Sequence, residues 1–187
     1  MNTPSSSFEV LLVRHGEAAA RWAESRDPGL SELGRSQAEA FGAALAGQAP
    51  RRLLSSPLQR ARETGLPLAR AWRREIEIDT RFREIPGPDD FAVRPAWLAD
   101  VMRRSWDEVE EPLQRWREAA WSALLALGGD SIVFTHYMVI NALAGAAMGD
   151  TRLVVFAPDY VSATKLRVER GRVELLELGT AATTRIL

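Results

Sequence analysis

Short apolar runs alternate along this chain with longer stretches of helical periodicity. Residues 10–13 are apolar throughout, as suits a strand buried on both faces. A polar loop through Asp27-Pro28-Gly29 follows, and Ser31 then reads as a helix N-cap with Glu32 in the first turn. Leu33, Ala38, Phe41 and Leu45 keep helical spacing to about Gly47. Leu53 and Leu54 predict a second short strand. Ser56-Pro57 predicts the next N-cap with proline at the first helical position, and Gly65 and Pro67 predict a kink or early break in that helix. Ile76-Glu77-Ile78 alternates like an edge strand.

An irregular stretch from Glu84 to about Pro95 comes next, then a short helix over 97–104 and a long amphipathic one over 107–127, stopped by Gly128-Gly129. Residues 132–135 form another buried strand and 138–148 another helix. The alternating segments 162–168 and 173–178, joined across Gly171, predict a terminal hairpin. Strand–helix alternation closed by a hairpin predicts an α/β fold: a three-layer α/β/α sandwich, mostly parallel with an antiparallel edge.

Composition narrows this without changing it. At 187 residues the chain reads as one domain over 1–187, with residues 1–7 expected to be disordered. Apolar residues at 46% and charged ones at 26% are ordinary for a globular protein. A net charge of −1 gives no footprint for nucleic acid or an anionic membrane, so any anion site needs locally gathered arginines. Cysteine is absent, which removes thiol nucleophiles and thiolate metal sites and fits a reducing compartment. No apolar run approaches a membrane span and the N-terminus is not a secretory signal, so the expected location is cytoplasmic.

The chain has only two histidines, and each closes an apolar run. His15 follows Arg14 and precedes Gly16 after the first strand. His136 follows the fourth. Ligands of open α/β sheets sit beyond the carboxyl ends of strands, where Ser55-Ser56 and Arg60 would also lie. Two arginines, two histidines, a helix N-terminus and a close-approaching glycine make a pocket for a phosphate dianion.

These segments carry a resemblance. Leu12-Val13-Arg14-His15-Gly16-Glu17 is similar to the Arg-His-Gly motif of the histidine phosphatase superfamily, which includes the cofactor-dependent phosphoglycerate mutases. The segments 30–38 and 55–64 and the strand Phe134-Thr135-His136 resemble three further motifs of that family, in the same order. The resemblance implies a phosphoglycerate mutase-like fold and a metal-independent phosphomonoester hydrolase that works through a phosphohistidine, with no cofactor. His15 would be the nucleophile, and Arg14, Arg60 and His136 would hold the phosphoryl group. Glu84, in Phe82-Arg83-Glu84-Ile85, would be the proton donor, with Asp89 and Asp90 as alternatives.

The chain also departs from the family pattern. Ala18, Arg21 and Tyr137 replace residues common there, so Gly16, Glu17, Arg21 and Tyr137 are expected at the rim or behind the pocket. The segment 86–129 is expected to form a cap. The implied partner is a small phosphorylated metabolite. A phosphohistidine or phosphoprotein phosphatase and a catalytically weak phosphate-binding relative are the rival readings. Oligomeric state is open, with the hairpin edge available for a homodimer.

Overall fold

A computed structural model describes residues 7–21 and 24–182. The expected disorder of 1–7 falls almost wholly outside them. Ser7 is exposed, and Phe8 already opens the first strand.

Six strands form one sheet: β1 (Phe8–Arg14), β2 (Arg52–Ser55), β3 (Ile76–Ile78), β4 (Ser131–Thr135), β5 (Ala163–Glu169) and β6 (Arg172–Glu177), in the order β3-β2-β4-β1-β5-β6. The pairs β3–β2, β2–β4 and β4–β1 are parallel, whereas β5 runs antiparallel to β1 and β6 antiparallel to β5. The five helices are α1 (Glu32–Leu45), α2 (Gln59–Trp72), α3 (Arg94–Val101), α4 (Glu111–Leu125) and α5 (Tyr137–Met148).

The central strands are apolar on both faces because helices cover both. Val13, Leu53, Ile132 and Phe134 pack with Ala61 and Leu68 of α2 and with Phe41 of α1. Their neighbours Leu12, Leu54 and Val133 pack with Leu124 of α4 and with Val139 and Leu143 of α5. The result is a three-layer α/β/α sandwich with a core on each face of the sheet. Phe134 is fully buried, and its truncation to alanine costs about 3–5 kcal/mol.

Several boundaries differ from the sequence expectation. The α2 helix starts at Gln59 with Leu58 as N-cap, two residues later than Ser56-Pro57 implied. It does not break: Pro67 lies inside it and the helix runs to Trp72. A Cβ on Gly42 would lie 2.8 Å from Pro67 Cβ, so α1 and α2 cross closely there. This packing holds the helix together despite the missing N–H. Gly65 likewise lets the Phe134 ring in, since a Cβ on it would sit 2.7 Å from that ring.

The helix expected at 97–104 is Arg94–Val101, with Pro95 in its first turn. The one expected at 107–127 is split into a 3-10 turn at Trp106–Glu108 and α4. Ser105 and Glu108 close a capping box on the turn, and the chain is extended at Val109 and Glu110 before Pro112 restarts the helix. Within the 86–129 stretch, Ala120, Ala123 and Leu124 of α4 join the sheet core, whereas Val101, Trp106, Val109 and Leu113 build a separate small core with Ile85, Met138 and Leu153.

Candidate active site

Three strand ends and two helix starts meet at one edge of the sheet. β1 ends in Arg14, and the next residue, His15, donates its N–H to the Thr135 carbonyl of β4 at 3.0 Å. His136 follows β4 as the N-cap of α5. Ser56 follows β2, and Arg60 lies in the first turn of α2. All four of Arg14, His15, Arg60 and His136 are buried.

The His15 ring is locked in one tautomer. Its Nδ1 lies 2.7 Å from the Gly16 carbonyl, which can only accept, so the proton sits on Nδ1. Nε2 then carries the lone pair and accepts from Arg60 Nε at 3.1 Å. Burial, followed by the charges of Arg60 and Arg14, pushes the His15 pKa well below its ordinary value, so the ring is neutral at pH 7.

The loop behind His15 is pinned by close backbone contacts. Gly16 donates to Thr64 Oγ1 at 3.0 Å, and Thr64 donates on to the Arg60 carbonyl at 2.7 Å. A Cβ on Gly34 would lie 2.0 Å from the Glu17 carbonyl oxygen, so the start of α1 needs glycine to approach this loop. Glu17 binds the same helix start: it accepts from Ser31 Oγ at 2.7 Å, while its N–H reaches Gln37 Oε1 at 2.8 Å. Its role is therefore to brace the loop.

His136 stands 5.1 Å from His15 between ring centroids, and its Nε2 is 2.7 Å from Ser56 Oγ. Ser56 Oγ also accepts from Leu58 N–H at 3.2 Å, so the same hydroxyl ties the His136 ring to the start of α2. Five buried side-chain polar atoms of the described residues lack a hydrogen-bond partner, and three are Arg14 Nε, Arg60 Nη1 and His136 Nδ1. No ion pair of the described residues involves Arg14 or Arg60. Buried donors without acceptors and guanidinium groups without counter-ions fit a site whose partner is an anion with several oxygens.

The segment after β3 crosses these strand ends. Asp79 N–H donates to the Ser55 carbonyl at 3.0 Å, and Thr135 Oγ1 donates to the Phe82 carbonyl at 2.8 Å. This sets Glu84 against the start of α5, where its Oε1 accepts from Ile85 N–H at 2.9 Å and Met138 N–H at 3.2 Å. Burial raises the Glu84 pKa above its ordinary value, against the pull of two backbone donors and of Arg60 and Arg14. Trp116 of α4 steadies the segment by donating Nε1–H to the Arg83 carbonyl at 2.9 Å.

Asp89 and Asp90 are engaged elsewhere. Asp89 is exposed and pairs with Arg26 at 3.0 Å, and Asp90 accepts from Ala92 N–H at 2.9 Å. Arg21 is exposed, and its backbone N–H donates to Glu24 Oε2. Tyr137 does reach the cluster, with its ring centroid 5.3 Å from the Arg14 guanidinium carbon. The structure adds Thr64, which sat inside a recognised motif, and Tyr160, which carried no signal, and it sets Ser56, expected as a helix N-cap, against the His136 ring. The Tyr160 ring centroid is 4.2 Å from that same carbon and 6.2 Å from the His15 ring centroid.

Residues 10–181 match the family model described as the histidine phosphatase superfamily (branch 1). The chain belongs to the histidine phosphatase superfamily. It is 30% identical over 155 residues to the glucosyl-3-phosphoglycerate phosphatase of Mycolicibacterium vanbaalenii, across 78% of this chain and 66% of that protein. It is 27% identical over 135 residues to phosphoserine phosphatase 1 of Hydrogenobacter thermophilus, across 70% of this chain and 60% of that protein. The matches thus span just under two thirds of these relatives' lengths. A solved structure of a putative alpha-ribazole-5'-P phosphatase from Escherichia coli shares the fold, with a TM-score of 0.75 at 19% identity over 95% of this chain and 100% of that one.

Proposed function

We propose that this chain is a metal-independent phosphomonoesterase that transfers the phosphoryl group of a small phosphorylated metabolite to His15 and then to water. The observation that carries the reading is the His15 ring: neutral, locked with its proton on Nδ1, and set beside two buried arginines that form no ion pair among the described residues. Relatives named as phosphatases of glucosyl-3-phosphoglycerate and phosphoserine support a small metabolite as the substrate class.

In the first step the Nε2 lone pair attacks phosphorus and the P–O bond to the alcohol breaks. Arg14, Arg60 and His136 hold the oxygens of the transferring group, which is most of what phosphoryl transfer asks of a protein. The leaving alkoxide takes its proton from Glu84, whose half-buried, partly desolvated carboxyl keeps that proton to higher pH than usual. In the second step a water oxygen attacks phosphorus, Glu84 takes back a proton, and the P–N bond breaks to give phosphate and neutral His15. Gly16 holds the ring tautomer throughout.

The absence of cysteine favours a reducing compartment, and no described helix is long and apolar enough to cross a membrane, so we place the activity in the cytoplasm. The test is release of free phosphate from a panel of phosphomonoesters, including p-nitrophenyl phosphate, glucosyl-3-phosphoglycerate and phosphoserine, in the presence of a chelator. Turnover that survives chelation and is lost in His15→Ala is expected. A wild-type chain inert across the panel, or one that needs added metal, contradicts the proposal.

A further inference from the structure

Arg14 is a buried guanidinium that forms no ion pair among the described residues, although the charges of Glu84 and Asp159 act on it. It donates Nη1–H to the Pro158 carbonyl at 2.8 Å, and two aromatic rings lie against it. Its guanidinium carbon lies over the Tyr160 ring at 4.2 Å from the centroid and over the Tyr137 ring at 5.3 Å. Both tyrosines are half-buried.

The backbone that presents Tyr160 is tied to Arg14 as well. Val161 N–H donates to the Arg14 carbonyl at 3.0 Å, and Arg14 N–H donates to the Ser162 carbonyl at 3.2 Å. Val161 has φ of +50°, a left-handed conformation that a β-branched residue rarely adopts. The turn is held there from within by Ser162, which donates both its N–H (3.3 Å) and its Oγ–H (2.8 Å) to the Asp159 carbonyl. A strained residue beside a buried cluster, fixed by hydrogen bonds on both sides, is the kind of backbone a functional constraint keeps.

We propose that Tyr160, helped by Tyr137, is a positioning residue that seats the Arg14 guanidinium on an aromatic face and thereby fixes its free donors for the phosphoryl group. A carboxylate in that place would neutralise Arg14 and repel an incoming dianion. An aromatic face attracts the cation through its quadrupole and leaves the net charge of the pocket positive. Tyr137 opens α5 directly after His136, and Tyr160 comes from the turn before β5. The inference rests on the reading of Arg14 as a phosphate-holding residue.

The test uses inorganic phosphate as the probe, by calorimetry on the full chain. Tyr160→Leu should weaken phosphate binding by about 10-fold and lower kcat/KM for p-nitrophenyl phosphate in parallel, while Tyr160→Phe, which keeps the face, should stay within about 3-fold of wild type. A series of increasingly fluorinated phenylalanines at 160 keeps the shape and drains the ring face, so affinity should fall with each fluorine. This series also serves if Tyr160→Leu does not fold. In an Arg14→Gln background, Tyr160→Leu should cost nothing further.

A flat fluorine series, or an equal loss from Tyr160→Leu in both backgrounds, overturns the seat. So does a Phe variant as weak as Leu, because the hydroxyl would then carry the effect. The two readings fail separately. If Arg14→Gln binds phosphate as wild type does, the phosphate site itself is wrong. If Arg14→Gln binds poorly and the fluorine series is flat, only the aromatic seat is wrong.

Discussion

On the phosphate side of the pocket, each side chain grows from a strand end or the first turns of a helix: Arg14 closes β1, His15 is bonded through its backbone to β4, and His136 caps α5. On the leaving-group side, Glu84 sits in a loop fixed by side-chain contacts to Thr135, Met138 and Trp116 and backed by a small separate core. The first region is set by the sheet, so shifting one of its groups means deforming the core. The second can be re-shaped by changing the 79–110 segment alone. In the proposed reaction this sets a fixed transfer site against an adjustable proton donor, which would let one fold serve different phosphate esters.

The sharpest way to break this comparison is to remove one group from each side. His15→Ala should lower kcat by about 10⁴-fold or more for every ester, because nucleophile and tautomer lock go together. Arg60→Ala should cost about 10²–10³-fold, also for every ester, since it touches the group common to all of them. Glu84→Gln should differ in kind. An amide oxygen still accepts the Ile85 and Met138 N–H groups but supplies no proton. In single-turnover formation of the phosphoenzyme, the step before water attacks, alkyl phosphates should lose about 10²–10⁴-fold, while p-nitrophenyl phosphate, whose leaving group needs no proton, should lose far less. Equal losses for both esters would mean that Glu84 works on the phosphate side after all.

Stability against pH sharpens the same contrast. The folded pKa values of His15 and His136 lie well below the ordinary 6.5, chiefly through burial. Below pH 6.5 the unfolded chain takes up protons that the folded chain refuses, so stability that is full above 6.5 is lost as pH falls toward the folded values. Glu84 is shifted the other way: its folded pKa exceeds 4.5, so the cost of burying its charge appears as pH rises through that value. Thermal melts should therefore show His136→Gln less acid-sensitive than wild type, and Glu84→Gln relatively more stable at neutral and higher pH. Gly34→Ala should cost about 1–3 kcal/mol in chemical denaturation, because its Cβ would push the Glu17 carbonyl that braces the His15 loop. Asp89→Asn should cost less than about 1 kcal/mol, since the pair with Arg26 is exposed.

The same contrast explains what could be read from the sequence. Runs 10–13 and 132–135 are legible as strands because helices cover both faces, and that leaves no polar position to blur the pattern. Arg14, His15, Arg60 and His136 are legible because each sits at a fixed offset from a strand end or helix start. The Pro67 position misleads because the contact with Gly42 is tertiary and outweighs a local propensity. Residues 97–127 mislead because helical spacing continues through Val109, whose burial comes from the small core and not from a helix. Tyr160 is invisible because antiparallel pairing of β1 with β5 creates its meeting with Arg14.

The central claim is that His15 is the atom-bearing nucleophile of a two-step transfer. Rapid base quench of the wild-type chain during turnover of a ³²P-labelled ester, followed by peptide mapping at alkaline pH, tests it directly. The account predicts a label that is stable in base, labile in acid, on the peptide containing His15, and absent from His15→Ala. A label on any other residue, or turnover by wild type with no trapped phosphoenzyme and single-step inversion at a chiral phosphoryl group, would contradict it.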